Sequence, residues 1–343
     1  MNNRFLAILA ALCYGISIPI SKLLLNNVPP VFIAGLVYIG AGFGMLFINL
    51  FNKNDQKKEA RISKKELSYT VAMVLLDVSA PIFLLIGLSK SSSATTSLLN
   101  NFEIVATSSI ALIIFKESIG KRTWIAIILI TIASIILSVD DFSTINFSIG
   151  ALFVLLACIC WGFENNCTNK LSLKNPLEIV IIKGIGSGVT SLIIAFVIKQ
   201  YTLEIKYILI TLLLGFVAYG LSVYFYIYAQ RSLGAARTSA FYAIAPFIGV
   251  GLSFIIFKEV PTVSYLIALF IMVIGVYLTA FEKHEHLHLH RFVEHEHRHN
   301  HNDGHHNHAH EVQINGEHSH LHTHNIMEHK HSHTPDLHHS HEH

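Results

Sequence analysis

Histidine is missing from the first 283 residues of this 343-residue chain; all 23 histidines fall between His284 and His343. The body therefore lacks the side chain that most often serves general acid–base chemistry near neutrality, and it contains no His-Glu-x-x-His metal site. Charged residues are scarce at 13% of the chain, and the formal net charge of +2 offers no basic face for nucleic acid. The four cysteines, Cys13, Cys158, Cys160 and Cys167, all sit inside apolar runs, which excludes a disulfide framework. There is no Gly-x-x-x-x-Gly-Lys-Ser/Thr run to cradle a nucleotide phosphate, and no nucleophile with a base beside it. The chain is therefore expected to be neither an enzyme nor a nucleotide-driven motor, and to require no cofactor.

What is abundant is apolar sequence. Mean hydropathy is +0.52 even though the last sixty residues are strongly polar. A bilayer core of about 30 Å takes roughly 20 apolar residues per helix. Ten segments meet that need, near residues 4–25, 31–51, 67–88, 94–115, 124–139, 149–171, 178–198, 207–229, 238–257 and 262–281. The fold class expected is thus an all-α membrane protein of ten transmembrane helices, followed by a disordered His-rich tail. Residues 1–139 and 149–283 form the two halves, 140–148 a linker, and 284–343 the tail. The first apolar run is read as a retained span, because no small-residue cleavage pattern precedes Cys13.

Lys and Arg accumulate in cytoplasmic loops. Lys53, Lys57, Lys58, Arg61, Lys64, Lys65, Lys116, Lys121, Arg122, Lys170, Lys174, Arg231 and Arg237 fall on one side of the ten-span arrangement. The opposite loops hold Lys90, Lys199, Lys206 and Lys258, with Lys22 at a helix end. Both termini are therefore expected in the cytoplasm, in an integral protein of a bacterial plasma membrane, with the bilayer as its first partner. The Lys-rich stretch from Asn52 to Glu66 reads as a topology determinant attracted to anionic lipid.

The chain is also written twice. Ala94-Thr95-Thr96-Ser97 through Phe115-Lys116-Glu117 returns at an offset of 142 as Ala236-Arg237-Thr238-Ser239 through Phe257-Lys258-Glu259. Cys13-Tyr14-Gly15 is echoed by Cys160-Trp161-Gly162, and the glycines from Gly40 to Gly44 by those from Gly184 to Gly188. With five spans per copy, the second copy enters the bilayer inverted, the architecture of alternating-access carriers.

Two five-span halves, each with a span ending in Phe-Lys-Glu, resemble the drug/metabolite transporter superfamily and its EamA-like ten-helix members, over roughly residues 4–281. The resemblance implies two inverted five-helix repeats around a central substrate cavity. Glu117 and Glu259 match the glutamate that closes the family's fourth and ninth helices. The proline of those helices is present as Pro246 and replaced by Ile104 in the first copy. Lys183 resembles the basic residue of the seventh helix, whereas Tyr38 and Ile39 occupy the corresponding region of the first half.

Intramembrane carboxylates usually face a bundle interior or a wet cavity, because lipid exposure costs roughly 2.5 to 3.5 kcal/mol on insertion scales. Asp77, Glu103 and Glu164 are such residues, with Asn100 one turn before Glu103 and Asn165 beside Glu164. They are candidates for a proton or a cationic substrate group, and Lys183 for their counter-charge or for a substrate carboxylate. The plainer reading is that these groups pair merely to hold helices together. Tyr219 and Tyr242 lie deep enough to offer hydroxyls to substrate, although tyrosine is also an ordinary interface anchor. Cys160, Glu164 and Cys167 share a helical face that would suit a metal in transit, against the commoner role of cysteine as a packing residue. The small-xxx-small pairs Gly40/Gly44 and Gly184/Gly188 read as helix-packing contacts. Pro19, Pro81 and Pro246 mark kinks.

The tail has few apolar residues and no helical period, so it is expected to stay unfolded. His284, His286, His288, His290, His295, His297, His299, His301, His305, His306, His308 and His310 are imidazoles that take up Zn, Ni, Co or Cu ions. Incidental metal binding by a low-complexity extension competes with a true metal-handling role. The leading expectation is a secondary transporter of a small metabolite or amino-acid-like solute, in the export direction. The alternative is a divalent-metal transporter, or a membrane-anchored metal buffer or sensor. Oligomeric state has no signature in the sequence.

Overall fold

A computed structural model describes residues 3–51, 62, 66–115, 120–141, 146–171, 174–233, 238, 241–280, 284–290, 293–299, 318–324 and 327–333. Its body is helical: α1 Asn3–Gly15, α2 Ser17–Leu24, α3 Pro30–Phe51, α4 Leu67–Lys90, α5 Ser93–Leu99, α6 Phe102–Ile113, α7 Lys121–Ser138, α8 Ile149–Leu171, α9 Pro176–Val197, α10 Ile205–Gly215, α11 Ser222–Leu233, α12 Ala245–Phe257 and α13 Val263–Ala280. A π-helical stretch, Phe216–Leu221, joins α10 to α11. Two short strands, β1 Val139–Asp141 and β2 Asn146–Phe147, pair antiparallel between the halves.

Among the described residues seven helices are long and apolar enough to cross a bilayer; the fourth, ninth and tenth expected spans appear as shorter helical pieces. The fourth departs most from expectation. Its continuous apolar pattern predicts one helix, yet the chain turns at Asn100–Asn101 between α5 and α6. The Asn101 side-chain amide donates to the Leu98 carbonyl at 2.9 Å, so the side chain competes for a backbone group the helix would otherwise use. The second repeat breaks at the matching place, with a turn at Ala243–Ile244 just before Pro246, which stands in the first turn of α12. The first span is also interrupted, at Ile16, and Pro19 lies three residues beyond.

Helix packing follows the sequence repeat. The central pairs are α3 against α9, α4 against α8, α1 against α11, α5 against α12 and α7 against α13. Under the repeat relation α3–α9 and α7–α13 map onto themselves and α4–α8 and α1–α11 exchange, while α5–α12 joins the first piece of the fourth span to the second piece of the ninth. Gly184 and Gly188 lie at the α3–α9 contact, where a Cβ on Gly184 would sit 2.4 Å from the Gly42 nitrogen and one on Gly188 2.6 Å from the Ile39 nitrogen, while Gly40 and Gly44 meet Leu212 of α10 and Phe216 of the π-helical stretch. Backbones approach too closely there for any side chain, as the packing reading requires.

Large apolar residues on the outside, among them Phe47, Ile113, Val197, Ile255 and Phe270, remain exposed in the isolated chain. On a soluble protein such a surface would drive association; on a bundle of apolar helices it is the lipid-facing belt. The buried core centres on Ile33, Val37, Leu84, Leu88, Val154 and Trp161, contributed by both repeats.

Four segments of the tail depart from the expected lack of structure. Strands β3 His284–His290 and β6 Met327–His333 pair antiparallel, as do β4 Val293–His299 and β5 His318–His324. The alternating His-x-His pattern has the period of a strand, so a sequence read as structureless also carries a strand signal. His301, His305, His306, His308, His310 and Glu117 lie outside the described residues.

Candidate functional site

The polar residues expected at mid-membrane come together where α3, α4, α6, α8 and α9 meet. Lys183 on α9 holds two carboxylates at once: its Nζ lies 2.8 Å from Glu164 Oε1 on α8 and 3.2 Å from Asp77 Oδ2 on α4. Asp77 Oδ1 accepts the Tyr38 hydroxyl of α3 at 2.9 Å, and Glu164 accepts the Thr168 hydroxyl one turn along its own helix. Asp77 and Glu164 are 1% and 2% exposed, so both charges sit out of reach of bulk water in the isolated chain. Asp77 Oδ2 makes no directed hydrogen bond, and its contact with Lys183 is an ion pair alone. Pro81, inside α4, has no N–H to offer the Asp77 carbonyl four residues back, which loosens the helix at the charged residue.

A second polar set adjoins the first. Asn165, next to Glu164 on α8, donates to Glu103 Oε1 at 2.8 Å and to Thr107 Oγ1 at 3.2 Å, both on α6. Asn166 donates to the Thr107 and Gly162 carbonyls at 3.1 and 2.8 Å. The α4–α8–α9 and α6–α8 contacts are thus polar at one level of the bundle. Three carboxylates share a single ammonium, an excess of negative charge that favours a proton or a cationic group within the cluster.

Tyrosines wall the site. The rings of Tyr38 and Tyr219 are 5.5 Å apart, Tyr219 and Tyr14 5.9 Å, Tyr14 and Tyr242 5.8 Å, and Tyr242 and Tyr226 5.0 Å. Asn100 Nδ2 donates to the Tyr14 hydroxyl at 3.3 Å, linking the helix break to this aromatic row. Tyr219 lies in the π-helical stretch, where the extra residue per turn shifts its side chain from the direction an unbroken helix would give it.

Every core residue expected from the sequence is therefore in or beside one site: Asp77, Glu103, Glu164, Asn165 and Lys183 in the polar cluster, Asn100, Tyr219 and Tyr242 along the aromatic row. Tyr14, Tyr38 and Thr107 were not expected there. Tyr38 lies one residue from Ile39, the first-repeat counterpart of Lys183, and both Tyr38 and Lys183 touch Asp77. The Cys160–Glu164–Cys167 face does not develop into a metal site: among the described residues no three His, Cys, Asp or Glu side chains come together to hold an ion. Cys158 instead packs its thiol against the Leu99 and Asn100 carbonyls at the α5–α6 break, at 3.8 Å each.

The end of the bundle that holds Lys22 and Glu259 is crossed by polar contacts. Lys22 donates to the Leu88 and Ser91 carbonyls at 2.6 and 2.7 Å. Glu259 accepts from the Ser93 and Ala94 N–H groups, Ser253 donates to Ser93 Oγ at 2.8 Å, and the Tyr265 hydroxyl reaches the Ala94 carbonyl at 3.2 Å. At the other end Lys174 lies 3.5 Å from Glu66, and the Ile62 N–H bonds Glu178 at 3.3 Å.

Known proteins share this plan. The chain is 28% identical over 290 residues to an "Uncharacterized transporter" of Methanothermobacter thermautotrophicus (strain Delta H), covering 79% of this chain and 84% of that protein. It is 23% identical over 245 residues to the "Uncharacterized transporter YyaM" of Bacillus subtilis (strain 168), covering 69% and 79%. A solved crystal structure superposes with a TM-score of 0.59 over 81% of this chain and 95% of its own, at 13% identity, which is a likeness of fold. The EamA-like transporter family matches twice, over residues 4–139 and 148–281, the two halves seen in the sequence repeat and in the exchange of helix pairs. The protein is thus an integral membrane member of the EamA-like transporter family, within the drug/metabolite transporter superfamily, built from two EamA repeats.

Proposed function

We propose that the chain is a secondary transporter that carries a small zwitterionic solute, amino-acid-like in its charges, through the chamber between its repeats by alternating access. The observation that carries this reading is the Asp77–Lys183–Glu164 cluster with Glu103 beside it. Lys183 suits a substrate carboxylate, and the surplus carboxylates suit an ammonium group. A buried cluster of this kind is costly to keep for architecture alone, because apolar residues of similar volume often hold a fold as well or better.

The clasps at Lys22 and Glu259 support a conformation closed at the end opposite the Lys-rich loop. By the positive-inside reading that end faces away from the cytoplasm, both termini lie inside, and the membrane is the bacterial plasma membrane. In the opposite state these clasps open and the cytoplasmic end closes, with Glu117 expected to do there what Glu259 does here. Export is the direction we assign, in line with the expectation from the family.

Purified protein in proteoliposomes tests the proposal. A panel of amino acids should show gradient-driven flux that Glu103→Gln and Lys183→Met abolish while both variants remain folded and inserted. Flux unchanged in both would remove the cluster from the transport path.

A second reading, movement or buffering of a divalent metal, draws on the tail. The strand register sets His284, His286 and His288 opposite His333, His331 and His329, and His295, His297 and His299 opposite His322, His320 and His318. Histidine is a donor type that zinc, nickel, cobalt and copper prefer, and the register places it at paired positions. Deleting residues 284–343 distinguishes the readings, since solute flux survives it only if the tail is an accessory.

A further inference from the structure

Three interrupted helices meet at one small cavity near the polar cluster. It is lined by Tyr14 and Gly15 at the end of α1, Ser17 at the start of α2, Ser97 and Asn100 at the end of α5, and Gly249 of α12 among others. Ser97 Oγ and Asn100 Oδ1 have no hydrogen-bond partner, although the two residues are only 0% and 4% exposed. Buried polar atoms are seldom left in that state, so each such atom points to an occupant.

The backbone adds a third oxygen. Pro19 has no N–H for the Gly15 carbonyl four residues before it. A Cβ on Gly249 would lie 2.9 Å from Ser97 Oγ and 3.1 Å from that Gly15 oxygen, and one on Gly15 would lie 2.8 Å from the Ala245 oxygen. Paired glycines thus let these oxygens crowd together. The Asn100 amide nitrogen is occupied with Tyr14, leaving its oxygen as the open group.

We propose that this cavity binds a dehydrated sodium ion, and that sodium is the coupling ion of the carrier. Ile18, Ala245 and Pro246 make part of the wall apolar, and the open polar groups are hydroxyl, amide and carbonyl oxygens with no carboxylate, thiol or imidazole, a set too weakly charged for calcium or magnesium and too hard for a transition metal. Charge favours a cation over a water molecule. The C-terminal ends of α1 and α5 both stop at the cavity and present the negative ends of their dipoles, as half-helix ends do at other carriers' cation sites. The N-terminal end of α12 opposes them, but the three carboxylates of the neighbouring cluster share only Lys183.

The site also has a path to the substrate cluster. The Glu103 N–H bonds the Asn100 carbonyl at 3.2 Å across the helix break, and the Glu103 side chain holds Asn165. An ion that fixes Asn100 therefore fixes the start of α6 and the carboxylate on it.

The inference rests on the proposed transport function for its coupling role, whereas the binding site stands separately. The test uses purified full-length protein without solute, melted in sodium, potassium and choline chloride at equal ionic strength. A saturable rise in melting midpoint specific to sodium is expected. Ser97→Ala should raise the half-saturating sodium concentration about tenfold, near the value of one net polar contact, and Ser97→Thr should restore it. Equal midpoints in the three salts would overturn the site and leave the cavity to water. Sodium-specific stabilisation with solute flux indifferent to the sodium gradient would overturn the coupling. Sodium binding with no flux for any solute would instead sink the transport reading and leave the site.

Discussion

Glu259 accepts hydrogen bonds from the backbone N–H groups of Ser93 and Ala94, at 3.2 and 3.3 Å. The glutamate that closes the last span but one thus caps the helix that opens the fourth, in the other repeat. Two local features make the reach possible. Lys258 takes a left-handed conformation, φ 53°, that ends α12 and turns the chain back. Ser92 caps α5 through Thr95 N–H at 3.0 Å and leaves the first N–H groups of the helix free for a partner.

Charge-assisted bonds of this kind contribute about 1.5–3 kcal/mol each. Glu259→Ala is expected to open that end of the bundle by tenfold or more. With the four native cysteines replaced by serine and a cysteine placed at Thr96, which is fully buried at the clasp, an impermeant maleimide should label the variant correspondingly faster. An unaltered labelling rate would show that the clasp does not hold the closed state.

Lys183 is the hinge of the charged cluster, and removing it strands two carboxylates. Lys183→Met should destabilise the protein by about 3–5 kcal/mol, the usual penalty for leaving one side of a buried pair uncompensated. Adding Asp77→Asn and Glu164→Gln to that variant should recover much of the loss without recovering flux. Thermal unfolding of the three-fold variant decides the point: stability no better than that of Lys183→Met alone would mean the ion pairs contribute little.

Much of this site was legible in the sequence because a charge in an apolar run has few explanations. Asp77, Glu103, Glu164 and Lys183 stand out against their neighbours, and they meet. The repeat likewise announced two copies, and the two family matches fall on them. What stayed hidden depends on groups that leave no mark on hydropathy. The break at Asn100–Asn101 comes from a short side chain competing for a carbonyl, within a run apolar enough to pass as one span. Tyr14 and Tyr38 were masked by the general frequency of aromatics in membrane helices. The tail's strands were missed because its polarity outweighed its period of two.

Glycine contacts between repeats give a packing test. Gly184 faces the Gly42 backbone so closely that an added Cβ would sit 2.4 Å from its nitrogen, and backbone cannot step aside as a side chain can. Gly184→Ala is expected to cost about 1–3 kcal/mol, the range for overpacking. Gly251, on α12, has nothing within 4 Å of an added Cβ, so Gly251→Ala should be neutral or stabilising by up to about 1 kcal/mol through helix propensity. Unfolding measured on both variants would refute this packing account if Gly184→Ala proved the milder.

In the tail, the strand register makes a prediction that a structureless chelator does not. His286 is opposite His331, while His286 and His320 belong to different ladders. If the ladder binds zinc, replacing His286 and His331 together should weaken affinity by little more than either change alone, whereas His286 with His320 should be additive. Protonated imidazole has no lone pair for a metal, and the ordinary histidine pKa is about 6.5. Binding is therefore present above that value and lost as the pH falls through it toward about 5. Calorimetric titration of full-length protein with zinc chloride at both ends of that range measures both effects, and additivity for the 286–331 pair would dissolve the ladder.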